Sequence, residues 1–180
     1  VQQCPHDSIV RDTDADGFSD FHEIKISATD PLDSASFPAE ISGAISYNGK
    51  QAGMIHIMAA VGPEMWSSQH SVLIPQPSAF AITNVPTLST YWIRAYRDSN
   101  VNGSNEFWEA CGEYQLNPAE LSDDMTGVNI TLVDPDTDED GMPDYIEVVI
   151  VEADPDDEIT GIEHVLPGDD YDGDGVSNAE

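Results

Sequence analysis

Between residues 41 and 133, apolar positions alternate with polar ones or run on continuously in short stretches separated by turn residues. The stretches are 41–47, 53–61, 70–74, 79–84, 90–97, 113–116 and 128–133, and they are rich in Ile, Val, Tyr and Trp. A period of two puts every second side chain on one face, which is the signature of a strand with one side on a core. Seven such strands predict a mainly β fold, a seven-stranded antiparallel β-sandwich, with a small open barrel as the alternative. Asn48-Gly49 is predicted to turn a hairpin, because both residues tolerate positive φ.

Outside this region the pattern changes to the helical period. Residues 20–26 and 145–153 read as short helices, each starting inside an acidic run, and Asp30-Pro31 and Asp154-Pro155 stop them. Acidic loop, short helix and Asp-Pro turn therefore occur twice, with the β-region inserted between the copies. The chain divides into an N-terminal repeat over 1–37, a sandwich over 38–133 and a C-terminal repeat region over 134–180.

Charge sharpens this picture. The chain has 35 Asp and Glu against 5 Lys and Arg, a formal net charge of -30, which repels itself in any compact state. Five basic residues cannot supply a phosphate-binding surface, so nucleic acid is excluded as a partner. Divalent cations are the natural counter-charge. Cys4 and Cys111 are too few and too far apart for a zinc ribbon or a Cys-x-x-Cys motif, and leave open one disulfide or two free thiols. No apolar run is long enough to span a membrane, and the chain opens at Val1 as a processed, secreted protein does, so an extracellular or cell-surface location is expected.

The acidic residues follow a twelve-residue pattern. DTDADGFSDFHE and DTDEDGMPDYIE place Asp12, Asp14, Asp16, Asp20 and Glu23, and Asp136, Asp138, Asp140, Asp144 and Glu147, at positions one, three, five, nine and twelve. Glycine stands at position six in both, as Gly17 and Gly141. A hard cation takes six to eight oxygens at about 2.3–2.6 Å, and a chain wrapped around it presents every second side chain inward. Position seven contributes a backbone carbonyl, here from Phe18 and Met142, and the glutamate at twelve closes the cage with two oxygens. A third copy places Asp170, Asp172, Asp174, Val176 and Asn178 at one, three, five, seven and nine, with position twelve falling at residue 181, so the natural protein is expected to continue. A fourth, DSNVNGSNEFWE, uses Asp98, Asn100, Asn102, Ser104, Glu106 and Glu109; its two asparagines lower the charge and with it the expected affinity. About four Ca²⁺ sites are expected. Mg²⁺ keeps its water and prefers a compact octahedron, and Zn²⁺ prefers nitrogen and sulfur.

The sequence argues against an enzyme. Its five histidines form no i, i+4 pair, Gly-x-Ser-x-Gly and phosphate-cradling loops are absent, and among 35 carboxylates a chance pair means nothing. Trp66, Trp92 and Trp108 are read as core aromatics, with a sugar-stacking platform as the alternative.

At DTDADGFSDFHE followed by ATDPLD, the chain resembles the thrombospondin type 3 class of calcium-binding repeats as found in bacterial secreted proteins. The resemblance covers roughly the first 37 and last 47 residues and implies extracellular segments ordered by calcium. From ISGAISYNGKQAG to GVNITLVDP, the middle is similar, more loosely, to prealbumin-like or carboxypeptidase-regulatory β-sandwich modules. Together these imply a structural or adhesive module, such as a surface or filament subunit. Its partners would be calcium and either itself, another surface protein or a polysaccharide. The alternatives are a carbohydrate-binding accessory of a secreted hydrolase and a dockerin-like docking module.

Overall fold

In the computed structural model, which describes residues 11–153, 161–171, 173 and 175–178, the strands fall between Pro38 and Thr131. They are β1 Pro38–Ser46, β2 Met54–Ala60, β3 Ser71–Ile74, β4 Ala79–Pro86, β5 Ser89–Asp98, β6 Cys111–Glu113, β7 Ala119–Leu121 and β8 Met125–Thr131. One sheet has the order β4-β1-β8; the other runs β3-β2-β5-β6, with β7 also paired to β5. The fold is a mainly β, sandwich-like arrangement of two sheets.

The alternation read from the sequence is largely the alternation of burial on β4, whereas β5 is covered on both faces. On β5, Tyr91, Ile93 and Ala95 enter the core, where they meet Ile55, Ile57 and Ala59 of β2 and Ile41, Ile45, Ile82, Val128 and Ile130 of the opposing sheet. Each fully buried aliphatic chain contributes about 1.5–3 kcal/mol. The intervening residues of β5 face away from that core yet are also covered. Arg94 is 2% exposed, with its guanidinium carbon 4.7 Å from the Trp66 ring centroid and Nη2 2.9 Å from Glu113 Oε1. Tyr96 stacks on His56 at 4.7 Å, and burial raises its hydroxyl to about 12.

Five details differ from expectation. There are eight strands among the described residues rather than seven, because β7 is a three-residue Ala-Glu-Leu segment too short for a periodic signal. Strand β6 lies at Cys111–Glu113 and not at 113–116. Between β6 and β7, Asn117 stands in for backbone: its Oδ1 accepts from Ile93 N at 2.8 Å and its Nδ2 donates to Ile93 O at 2.8 Å. The sandwich is not wholly antiparallel, since β1 and β8 pair in parallel, with Ile45 opposite Ile130. Asn48-Gly49 turns no hairpin, because β1 and β2 lie in different sheets and neither residue has positive φ. None of the three tryptophans joins the buried core; all are half-buried.

Both flanking helices form. Helix α1, Asp20–His22, starts at Ser19, whose Oγ accepts from His22 N at 3.3 Å, and widens into a π-helical turn over Glu23–Ser27. Helix α2 spans Asp144–Ala153; the Asp154-Pro155 stop lies outside the described residues. The chain leaves the sandwich through a two-residue bridge in which Cys111 N donates to Val133 O at 3.1 Å and Val133 N to Cys111 O at 3.0 Å. Cys111 is a free thiol, and Cys4 lies outside the described residues.

Candidate metal centre

The four twelve-residue loops share one hydrogen-bonded frame. The Oδ2 of the position-one aspartate accepts from the position-six glycine N–H at 3.1 Å for Asp12, 3.1 Å for Asp136, 3.0 Å for Asp98 and 2.9 Å for Asp170. Positive φ at Gly17 (103°) and Gly141 (97°) lets that N–H turn inward. Position four is left-handed as well: Ala15, Val101, Glu139 and Gly173 have φ of 63°, 63°, 61° and 72°. Nothing in the sequence pattern singles out position four, because three different non-glycine residues occupy it.

In the two aspartate loops the carboxylates converge. One oxygen each from Asp12, Asp14 and Asp16 lies within 4.8 Å of the others, and the same holds for Asp136, Asp138 and Asp140. The position-five aspartate of each loop uses one oxygen to cap backbone: Phe18 N donates to Asp16 Oδ1 at 2.8 Å and Met142 N to Asp140 Oδ1 at 2.8 Å. The second oxygen is the telling one. Asp14 Oδ2, Asp16 Oδ2, Asp136 Oδ1 and Asp140 Oδ2 are buried with no hydrogen-bond partner among the described residues.

The closing glutamates are more extreme. Glu23 and Glu147 are both 0% exposed. Glu23 Oε1 accepts from Thr29 Oγ1 at 3.3 Å while Oε2 has no partner, and neither oxygen of Glu147 has one. Burial, followed by the charges of Asp16 and Asp14, raises Glu23 to about 7; burial, followed by Asp138 and Asp140, raises Glu147 likewise to about 7. A buried carboxylate without partners costs several kcal/mol. Arg11, an exposed side chain 3.6 Å from Asp20, pairs with none of these oxygens. Buried, unpaired, convergent oxygens are the donor set of a hard cation, so the residues present fit Ca²⁺.

Position nine behaves differently from a direct ligand. Both oxygens of Asp20 are taken by Thr13, N at 2.8 Å and Oγ1 at 2.7 Å, and both of Asp144 by Thr137, N at 2.7 Å and Oγ1 at 2.6 Å. These threonines lock the loop shut across its diameter. Their signal was present in the sequence as the threonine shared at position two.

Both segments match the family model of the bacterial TSP3 repeat. The matched residues are 12–34 and 136–155, each beginning at the first aspartate and including the Asp-Pro pair. No curated protein and no solved structure matches the chain. TSP3 repeats bind calcium, which agrees with the oxygen cages of these two TSP3-like segments.

The remaining loops lie outside the TSP3 match. In the loop joining β5 to β6, Glu109 is 0% exposed but satisfied: Oε1 accepts from Ser99 N at 2.7 Å and Oε2 from Glu106 N at 3.2 Å. Burial raises its carboxyl above the ordinary value. Glu106 is clasped by two amides, Asn102 Nδ2 at 2.9 Å and Asn100 Nδ2. Asn100 Oδ1 and Asn102 Oδ1 face backbone instead, accepting from Asn102 N at 3.2 Å and Ser104 N at 2.8 Å. In the C-terminal loop, Asn178 Oδ1 accepts from Tyr171 N at 3.3 Å and Asn178 Nδ2 donates to Leu166 O at 3.0 Å. Asp172 and Asp174 lie outside the described residues.

Proposed function

We propose that the chain is a secreted, non-enzymatic, calcium-dependent structural module. Ca²⁺ bound by Asp12, Asp14, Asp16, Phe18 O and Glu23, and by Asp136, Asp138, Asp140, Met142 O and Glu147, orders two acidic flanks against a prealbumin-like sandwich. The observation that carries this reading is Glu147: a fully buried carboxylate with two unpartnered oxygens beside three aspartates. A bound cation makes that arrangement favourable with the carboxylate ionised. Asp20 and Asp144, held by threonine, reach the ion through water, as position nine commonly does. The Asp170 loop, which shares the aspartate-to-glycine frame of the other three, supplies a further site.

The Asp98 loop is the weakest of the four. Binding there requires the Asn100 and Asn102 amides to rotate their oxygens inward, giving up both bonds to Glu106. A surface-layer, filament or adhesive role follows from rigid, strongly acidic flanks. Among the described residues, no helix is long and apolar enough to cross a membrane.

Native mass spectrometry in calcium and after chelation tests the reading, because it counts ions and copies together. At least two retained Ca²⁺ are expected, each lost with an Asp→Asn set in its own loop, and Mg²⁺ is expected to be held more weakly. A chain that retains no calcium refutes the proposal. An unretarded band in polysaccharide affinity gels is expected of a structural module, whereas retardation favours the carbohydrate-binding alternative.

A further inference from the structure

The 136–147 loop is entered through a part-buried polar node. Asp134, two residues before the first ligand, accepts through Oδ1 from Tyr47 OH at 2.6 Å and from Gln51 Nε2 at 2.9 Å. The Tyr47 hydroxyl also accepts from Gln51 N at 2.9 Å. Gln51, 7% exposed, spends its remaining capacity on the β5–β6 loop. Its Nε2 donates to Trp108 O at 3.0 Å, and its Oε1 accepts from Ser99 Oγ at 2.7 Å and Ala110 N at 3.3 Å. Trp108 and Ala110 flank the buried Glu109, and Ser99 follows Asp98. One side chain therefore grips both ends of the embedded loop and the entrance of the C-terminal one.

The space for this node is also built in. A Cβ at Gly49 would overlap Asp134 Oδ2 and the Tyr47 hydroxyl, so glycine is needed there for close approach rather than for a hairpin. On its far side Asp134 leads to Pro135, whose carbonyl accepts from Asp144 N at 2.9 Å, carrying the restraint to position nine of the loop. The N-terminal loop is tied down differently, through His22 Nε2 and Asn84 Oδ1 at 2.9 Å on the helical turn, beyond the first ligands.

We propose that Gln51 is a positioning residue for calcium: it pre-orders the entrance of the 136–147 loop and couples that loop to the embedded 98–109 loop. The proposal rests on the calcium reading above. Polar atoms that are buried and fully paired hold one geometry, so less freedom is lost when the ion arrives. Coupling of this kind is reciprocal, so calcium at 136–147 restrains Trp108 in turn.

The test uses the full chain with Asp12→Asn, Asp14→Asn and Asp16→Asn to silence the N-terminal loop. Calorimetry reads affinity, and tryptophan emission reads the coupling. Calcium is expected to change the emission, and both Trp108→Phe and Glu147→Gln are expected to abolish that change. Gln51→Leu should weaken calcium about tenfold, the lower end of what outer partners of metal ligands contribute, and should uncouple the emission. Tyr47→Phe keeps the ring and removes one donor, for about a threefold loss; Gly49→Ala disturbs the node without deleting any hydrogen-bonding group. These two keep the idea testable if Gln51→Leu fails to fold. Wild-type affinity and emission response in all three variants would overturn the coupling while leaving the calcium reading intact. A parent chain that binds no calcium overturns both.

Discussion

The aspartate loop at 136–147 and the asparagine loop at 98–109 trace the same path around the same glycine, yet they solve their charge problem in opposite ways. In the first, Glu147 is buried with both oxygens unpartnered beside Asp136 Oδ1 and Asp140 Oδ2, also unpartnered. In the second, Glu109 accepts two backbone N–H groups and Glu106 takes two asparagine amides. An amide at positions three and five carries its own donor, which a carboxylate lacks. The sandwich loop thereby satisfies its own carboxylates, whereas the flanking loop leaves buried oxygens unpartnered. On the proposed reading, a single fold holds one frame in two states of calcium dependence, chosen by asparagine against aspartate.

The largest effect expected from this contrast is regional. In chelator, hydrogen exchange should accelerate by roughly a hundredfold or more over 12–34 and 136–153, the scale set by losing a ligand held at about a hundred times its dissociation constant. The amides of β2 and β5 should keep their protection. Uniform acceleration across both regions would erase the distinction.

Next in size, Glu147→Gln should act with opposite signs. With calcium it removes a bidentate ligand and weakens binding by about a hundredfold. Without calcium it removes an unpaired buried charge, raising the melting temperature by about 2–4 °C, the effect of about 1 kcal/mol in a chain of this size. The same charge makes the ion-free protein pH-sensitive. Glu23 and Glu147 are raised from 4.5 to about 7, so between those values the folded chain binds more protons than the unfolded one. Stability in chelator should therefore fall as pH rises from about 4.5 to 7 and level off above. Saturating calcium should reverse the slope, because protons then compete with the ion; melting curves at pH 5 and 7.5 decide it.

A smaller change would convert one loop toward the other. Asn100→Asp with Asn102→Asp should raise calcium affinity at 98–109 about tenfold, and should cost the ion-free chain about 2 kcal/mol through lost bonds to Glu106. Calorimetry and chelator melts read the two halves. Smallest of all, Val101→Gly relieves a β-branched residue at φ 63°. Left-handed strain of about 1–2 kcal/mol, less the entropy glycine adds to the unfolded state, leaves about 0.5 kcal/mol of stabilisation. It should be equal with and without calcium, since position four supplies no ligand.

The donor set was legible in the sequence because it is local. Twelve consecutive residues carry the oxygens, the glycine and the closing glutamate, so spacing alone nominates Asp12, Asp14, Asp16 and Glu23 and their partners at 136–147. Strand positions were legible for the same reason, since burial on β4 largely alternates residue by residue and β5 is a nearly continuous apolar run. Pairing was not: β7 spans three residues, and the parallel β1–β8 contact joins segments more than eighty residues apart, a choice made by core packing rather than by any window of sequence. Nor does spacing reveal that Glu109 finds backbone donors while Glu147 finds none. Hydrogen-bond satisfaction depends on what the rest of the chain brings alongside, and Asp134 meets Tyr47 and Gln51 only because the sandwich carries residues eighty-odd positions away to its side.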